Sequence, residues 1–138
     1  MRQNTISNKK VLLVANSSVL GEEAILHGIN LCKRMGGSLE VLHLLTAESA
    51  NLAEKSFKAD MTRMNLTKHV GYTQLLGDGD FTKETINYAK NRRNLLCVIL
   101  CSRGKEAAGK GQRQKKFKEV TQLLSCPVVL YTDRPVYR

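Results

Sequence analysis

Apolar residues in this chain come in short dense runs, separated by longer segments in which they recur every three or four positions. The runs fall at 11–15 (VLLVA), 39–45 (LEVLHLL), 70–76 (VGYTQLL), 95–101 (LLCVILC) and 127–132 (PVVLYT). Runs this short and rich in Val, Leu and Ile read as strands, and the uninterrupted ones suit strands covered on both faces by helices. The 95–101 run is the longest without a polar residue and is expected at the sheet centre. The 70–76 run is more polar and is expected near an edge. Pro127 opens the last run, where no ladder donor is lost.

The intervening segments predict four helices. After the first strand, Ser17 or Ser18 is placed to cap a helix whose first turn carries Glu22 and Glu23, carboxylates suited to the positive end of the helix dipole. Ile25, Ile29, Cys32 and Met35 recur at helical spacing, and Gly36-Gly37 ends the segment. Leu52, Phe57, Met61 and Met64 predict one apolar face for a helix over 48–66. Asp80 or Thr82 caps a third helix, with Ile86 and Ala89 inward, and Phe117, Val120, Leu123 and Leu124 give the last helix its buried side. Strictly alternating strands and helices predict an α/β fold: a three-layer helix-sheet-helix sandwich on a five-stranded, mainly parallel sheet with right-handed crossovers. Residues 1–8 are polar and without periodicity, a disordered tail before one domain at 9–138.

Composition narrows the function classes. With 138 residues, 42% hydrophobic, there is room for one core and no second domain. No apolar run approaches the roughly 18 residues of a membrane span, and MRQNTISNKK has no secretory apolar block, so a cytoplasmic protein is expected. Cys32, Cys97, Cys101 and Cys126 lie in or beside apolar stretches without metal spacing and read as buried reduced thiols. Cys97 and Cys101 share a strand face but stand about 13 Å apart, too far for a disulfide. His43 reads as a packed, hydrogen-bonded histidine, and Asp78 with Asp80 lacks the closing ligands of a calcium loop.

The net charge of +10 favours an anionic partner. Arg103, Lys105, Lys110, Arg113, Lys115, Lys116 and Lys118 gather after the 95–101 strand, either as a solvated loop or as an anion-attracting mouth at the carboxyl end of the sheet, where such folds bind ligands. Gly104, Gly109, Lys110 and Gly111 nearly match a P-loop, but Gly111 stands where the magnesium-binding Ser or Thr is needed. With aromatic residues at 5%, stacking platforms are scarce and nucleic acid is the least favoured anion.

Three stretches resemble the universal stress protein family: KKVLLVANSS followed by VLHLL, then LLGDGDFTKETINYAKNRRNLLCVILCSRG, and finally SCPVVLY. The resemblance spans residues 9–132 and implies a Rossmann-like, adenine nucleotide alpha hydrolase-like fold, a role in stress response, and a homodimer formed through the last strand at 127–132. Members that bind ATP carry Gly, two residues, Gly, nine residues, then Gly with Ser or Thr. Here those positions are Cys101, Gly104 and Gln114-Lys115; Asn16 stands for an acid after the first strand, and Leu44 for an adenine-side Val. The degenerate nucleotide site implied by the resemblance is therefore Asn16, Leu44, Ser102, Arg103, Gly104, Gln114 and Lys115. Glycine allows the close backbone approach that phosphate needs, and its replacement narrows that path. The expectation is a binding or signalling module, not an enzyme, with no catalytic residue, no metal and no cofactor. The alternatives are an ATP-binding member using Asn16, Leu44 and the 102–116 loop, or a weak nucleotide hydrolase.

Overall fold

The computed structural model describes residues 9–16, 20–66, 70–77, 81–103 and 110–133, with side chains outside that description at 102, 103, 110–116, 132 and 133. The elements are β1 (Lys10–Ala15), α1 (Glu22–Met35), β2 (Ser38–Leu45), α2 (Ala47–Arg63), β3 (Val70–Leu76), α3 (Phe81–Ala89), β4 (Leu95–Arg103), α4 (Lys110–Leu123) and β5 (Val128–Asp133). All four strand pairings are parallel, in the order β3-β2-β1-β4-β5. Parallel neighbours need crossovers, and the helices that supply them cover both faces.

Strand periodicity divides the core in two. Val11, Leu13, Leu39, Val41, Cys97 and Ile99 point to one face, where Ile25 and Cys32 of α1 and Phe57 and Met61 of α2 close over them. Leu12, Val14, Leu42, Val98 and Leu100 point to the other, under Ala89 of α3 and Val120 of α4. Cys97 and Cys101 share the first of these faces, as alternation requires.

The ends of the helices are set by their own chemistry. Gly36 takes a left-handed conformation (φ 78°), and its amide and that of Gly37 both donate to the Cys32 carbonyl, closing α1. Gly37 then passes so close to the first strand that a Cβ there would lie 2.9 Å from the Lys9 carbonyl oxygen. At the other helix end, Asn65 (φ 60°) does the same work for α2, with Leu66 N–H donating to the Met61 carbonyl at 2.8 Å.

Several sequence expectations shift. The middle strand is β1; β4 lies one place off centre, between β1 and β5. A run of apolar residues reports cover on both faces but not rank in the sheet. β3 is an edge strand, as its polarity implied. Gly21, not Ser17 or Ser18, holds the N-cap position of α1; the two serines, like Asp78 and Asp80, lie outside the described residues, as does the 1–8 tail. Thr82 is buried as the second residue of α3, inside the helix instead of capping it. Met35, Leu52 and Leu123 were expected to face inward but are exposed, at 37%, 65% and 59%. In α2 the buried stripe is Ala53, Phe57 and Met61 at strict four-residue spacing, which turns Leu52 about 100° away from it. Among the described residues, no helix is long and apolar enough to cross a membrane.

Candidate functional site

In an open sheet wound both ways from a central strand, loops diverge where the winding reverses. The chain proceeds from β1 to β2 and β3 on one side and then returns to place β4 on the other, so this point lies between the carboxyl ends of β1 and β4. Ala15 pairs with His43, and Val14 with Leu100. Continuing the register places Asn16 level with Leu44 on one side and Ser102 on the other. The backbone register therefore carries three of the residues singled out in sequence toward one level: Leu44 in β2, Ser102 in β4, and Asn16 one residue past the end of β1. Asn16 is exposed; Leu44 is half-buried and packs with the α3/α4 side of the core.

The remaining positions lie in regular elements or outside the described residues. Cys101 is a half-buried residue of β4 paired with Tyr131, its side chain packed on the α1/α2 side. Ser102 and Arg103 continue that strand and pair with Thr132 and Asp133. Gln114 and Lys115 are the fifth and sixth residues of α4, where backbone N–H groups are taken up by the helix's own ladder. The expected 102–116 loop is thus strand to 103 and helix from 110. Gly104, with the loop cation Lys105, lies outside the described residues, while Lys110, Arg113, Lys116 and Lys118 ride on α4.

Two polar networks inside the sandwich were not legible in the sequence. His43 is fully buried, and its Nδ1 lies 2.7 Å from the Tyr72 hydroxyl. Gln74 donates from Nε2 to that hydroxyl (3.1 Å) and to the Ala50 carbonyl (2.9 Å), tying β3 to the first turns of α2. The Tyr72 ring stacks on Phe57 at 4.1 Å. Burial pushes the Tyr72 hydroxyl pKa up, with Glu54 adding to the rise and the Gln74 bond opposing it. His43 is thus the packed, hydrogen-bonded residue its strand context predicted. Alternating polar residues at 72 and 74 were the available signal, since on an edge strand beside a buried His they supply its partners.

The second network lies on the opposite face. Tyr88 donates to Glu40 Oε2 (2.5 Å), and Arg92 donates to the Tyr88 hydroxyl (2.6 Å) and to Glu40 Oε1 (3.3 Å). The guanidinium also sits 4.2 Å over the Tyr88 ring. Burial, then the Glu40 carboxylate, raises the Tyr88 pKa. A lone acid in an apolar strand, and Tyr and Arg four apart, were its traces in sequence. Among the described residues, no group of three or more His, Cys, Asp or Glu side chains could hold a metal ion.

No protein-family model matches the sequence, and no curated protein does. Among solved structures, the chain is similar to a universal stress protein from Archaeoglobus fulgidus, with a TM-score of 0.59 and 12% identity over 86% of this chain and 96% of that one. At that identity the likeness is one of architecture. The chain has the Rossmann-like α/β fold of a universal stress protein, built on a five-stranded parallel sheet.

Proposed function

We propose that the chain is a universal stress protein-like binding or signalling module of the stress response, cytoplasmic, dimeric and not an enzyme, which does not hold ATP in the manner of the family's ATP-binding members. The observation that carries this reading is the state of the carboxyl edge. Asn16 brings no charge there, Cys101 is committed to β4, and Gln114 with Lys115 lies inside α4. Close approach of a triphosphate calls for bare, unbonded backbone N–H groups, and these positions do not offer them.

Dimerisation through β5 has its own support. β5 is an edge strand, and Val128, Val129, Leu130 and Tyr131 are all only half-buried. An apolar edge with open ladder groups is a template for pairing with a second copy.

Calorimetry with ATP, ADP and AMP, beside native mass spectrometry of freshly purified protein, tests both parts. The expected outcome is a dimer without submillimolar nucleotide binding. Submillimolar binding abolished by Gly104→Val would make the protein a nucleotide carrier, a reading favoured by Leu44, Asn16 and Ser102 standing level at the switch point. Metal-dependent nucleotide turnover would favour a hydrolase. A monomer at micromolar concentration would rule out the β5 interface.

A further inference from the structure

Among the described residues, positive charge gathers beside a concavity at the amino-terminal end of the sheet, opposite the switch point. Lys9 precedes β1, and its carbonyl accepts from Ser38 at the start of β2; Lys10 N–H donates to the Asn94 carbonyl just before β4. Lys33 and Arg34 occupy the last turn of α1 at the same end. Lys90, Arg92 and Arg93 follow α3 within four residues and reach it from the other face. A helix C-terminus carries about half a negative charge, which one cation offsets. Two end α1 and three follow α3, where they also face the C-terminus of α4, whose last turn has no basic residue.

Of the acids in adjoining segments, Glu40 offsets Arg92, which leaves Lys90 and Arg93 as the excess after α3. Glu40 is bound to Tyr88 and Arg92, and Asp60 lies 2.6 Å from Arg63.

Between the ends of α3 and α4 the surface forms a cleft of about 130 Å³, lined by Lys90, Arg92, Arg93 and Leu95 on one side and by Leu124 and Ser125 on the other. This is below the few hundred Å³ of a pocket for a whole drug-sized ligand and suits a single multi-oxygen group. Arg92 is pinned by Glu40 and by the Tyr88 hydroxyl and ring, which engage both of its terminal nitrogens, so it forms a fixed wall of the cleft beside the two remaining cations. Lys90 and Arg93 are exposed beside it, and Ser125 adds a neutral hydroxyl donor.

We propose that this amino-terminal pole is a phosphate-binding surface, with one phosphate seated in the α3/α4 cleft against Lys90 and Arg93 and further phosphates of the same ligand lying over Lys33 and Arg34. Cations spread across the sheet's edge match an anion of repeating charge better than a lone carboxylate, and fork-shaped Arg donors match phosphate oxygens two at a time. Two sources offer that chemistry, a nucleic-acid backbone and a free polyphosphate. Backbone recognition of this kind needs charge and not stacking, so the scarcity of aromatic residues does not oppose it.

The full chain is titrated by fluorescence anisotropy with a labelled DNA duplex of about 20 base pairs, and by calorimetry with tripolyphosphate, at about 50 and about 200 mM salt. Lys90→Gln/Arg93→Gln removes two cleft charges. Lys55→Gln/Lys58→Gln removes two from exposed positions of α2 and has the same net charge. Far-ultraviolet circular dichroism confirms that both variants fold. For the duplex, each lost contact lowers the logarithmic salt slope by about 0.9, so the fourfold salt change should weaken the wild type about tenfold more than the cleft variant. The α2 variant should follow the wild type. Duplex binding without tripolyphosphate binding assigns the source to nucleic acid, and the reverse assigns it to free polyphosphate; either supports the proposal. Binding of neither, equal losses in the two variants, or poly-glutamate binding as tightly as tripolyphosphate overturns it. The cleft is at the far end of the sheet from the nucleotide positions, so Gly104→Val separates failure of this proposal from failure of the proposed function.

Discussion

Tyr72→Phe isolates one hydroxyl in the middle of the α1/α2 face. The ring stays, and with it the stack on Phe57 at 4.1 Å and 14°. Lost are the 2.7 Å bond at His43 Nδ1 and the 3.1 Å bond from Gln74. Gln74 still donates to the Ala50 carbonyl, so most of the cost falls on Nδ1 of the fully buried His43. A buried polar group deprived of its partner costs about 1–3 kcal/mol. For a chain of this length that is a fall in Tm of roughly 3–10 °C. Urea denaturation followed by circular dichroism should show a lower midpoint with an unchanged slope, because the surface exposed on unfolding is the same. Tyr72→Leu should lose a further 0.5–1.5 kcal/mol or so with the aromatic stack. A Tyr72→Phe variant within about 0.5 kcal/mol of wild type would refute the reasoning, since the hydroxyl would then not be what satisfies Nδ1 of His43.

Two other substitutions and conditions test the packing. Gly37→Ala should destabilise by about 1–3 kcal/mol in the same urea assay, because its Cβ would meet the Lys9 carbonyl oxygen at 2.9 Å and Leu96 Cδ1 at 2.7 Å, and the backbone oxygen has nowhere to move; an unchanged midpoint would contradict the close approach of α1's exit to β1. Stability should also fall as pH rises from about 9 to 11. Burial pushes the Cys97 thiol up to about 11, and the Tyr72 and Tyr88 hydroxyls are also raised by burial. The unfolded chain therefore releases these protons first and binds fewer of them than the folded one, which makes the slope of stability against pH negative over that window. Denaturation midpoints at pH 8, 9.5 and 10.5 check the sign, and a Cys97→Ala variant with a shallower decline identifies its share.

The number and alternation of elements were legible because strand and helix periods differ, and the short Val- and Leu-rich runs stop short of helix length. β3 was read to its ends, and Gly36 announced the end of α1 through the backbone conformation that glycine tolerates. Helix faces were less legible. Leu52 and Leu123 fit a wheel drawn from hydrophobicity alone, yet the sheet accepts only the narrow stripe that faces it, through Ala53, Phe57 and Met61 in α2 and through Val120 in α4. The candidate site divides in the same way. Continuing the parallel register puts Asn16, Leu44 and Ser102 level, because β1 lies between β2 and β4. Gln114 and Lys115 do not join them, because α4 begins at Lys110 and absorbs their backbone.

From the order of residues alone came the class of fold, the parallel winding and the departures from a phosphate-binding glycine pattern, since each is written locally in period, in turn chemistry or in the presence of a side chain. Only the tertiary structure put β1 at the centre, joined His43 to Tyr72 and Gln74, tied Glu40 to Tyr88 and Arg92, and brought Lys9 and Arg34 to the same pole as Lys90 and Arg93. These are pairings between residues dozens of positions apart. Their geometry follows from which strand lies beside which, and no local pattern encodes that neighbourhood.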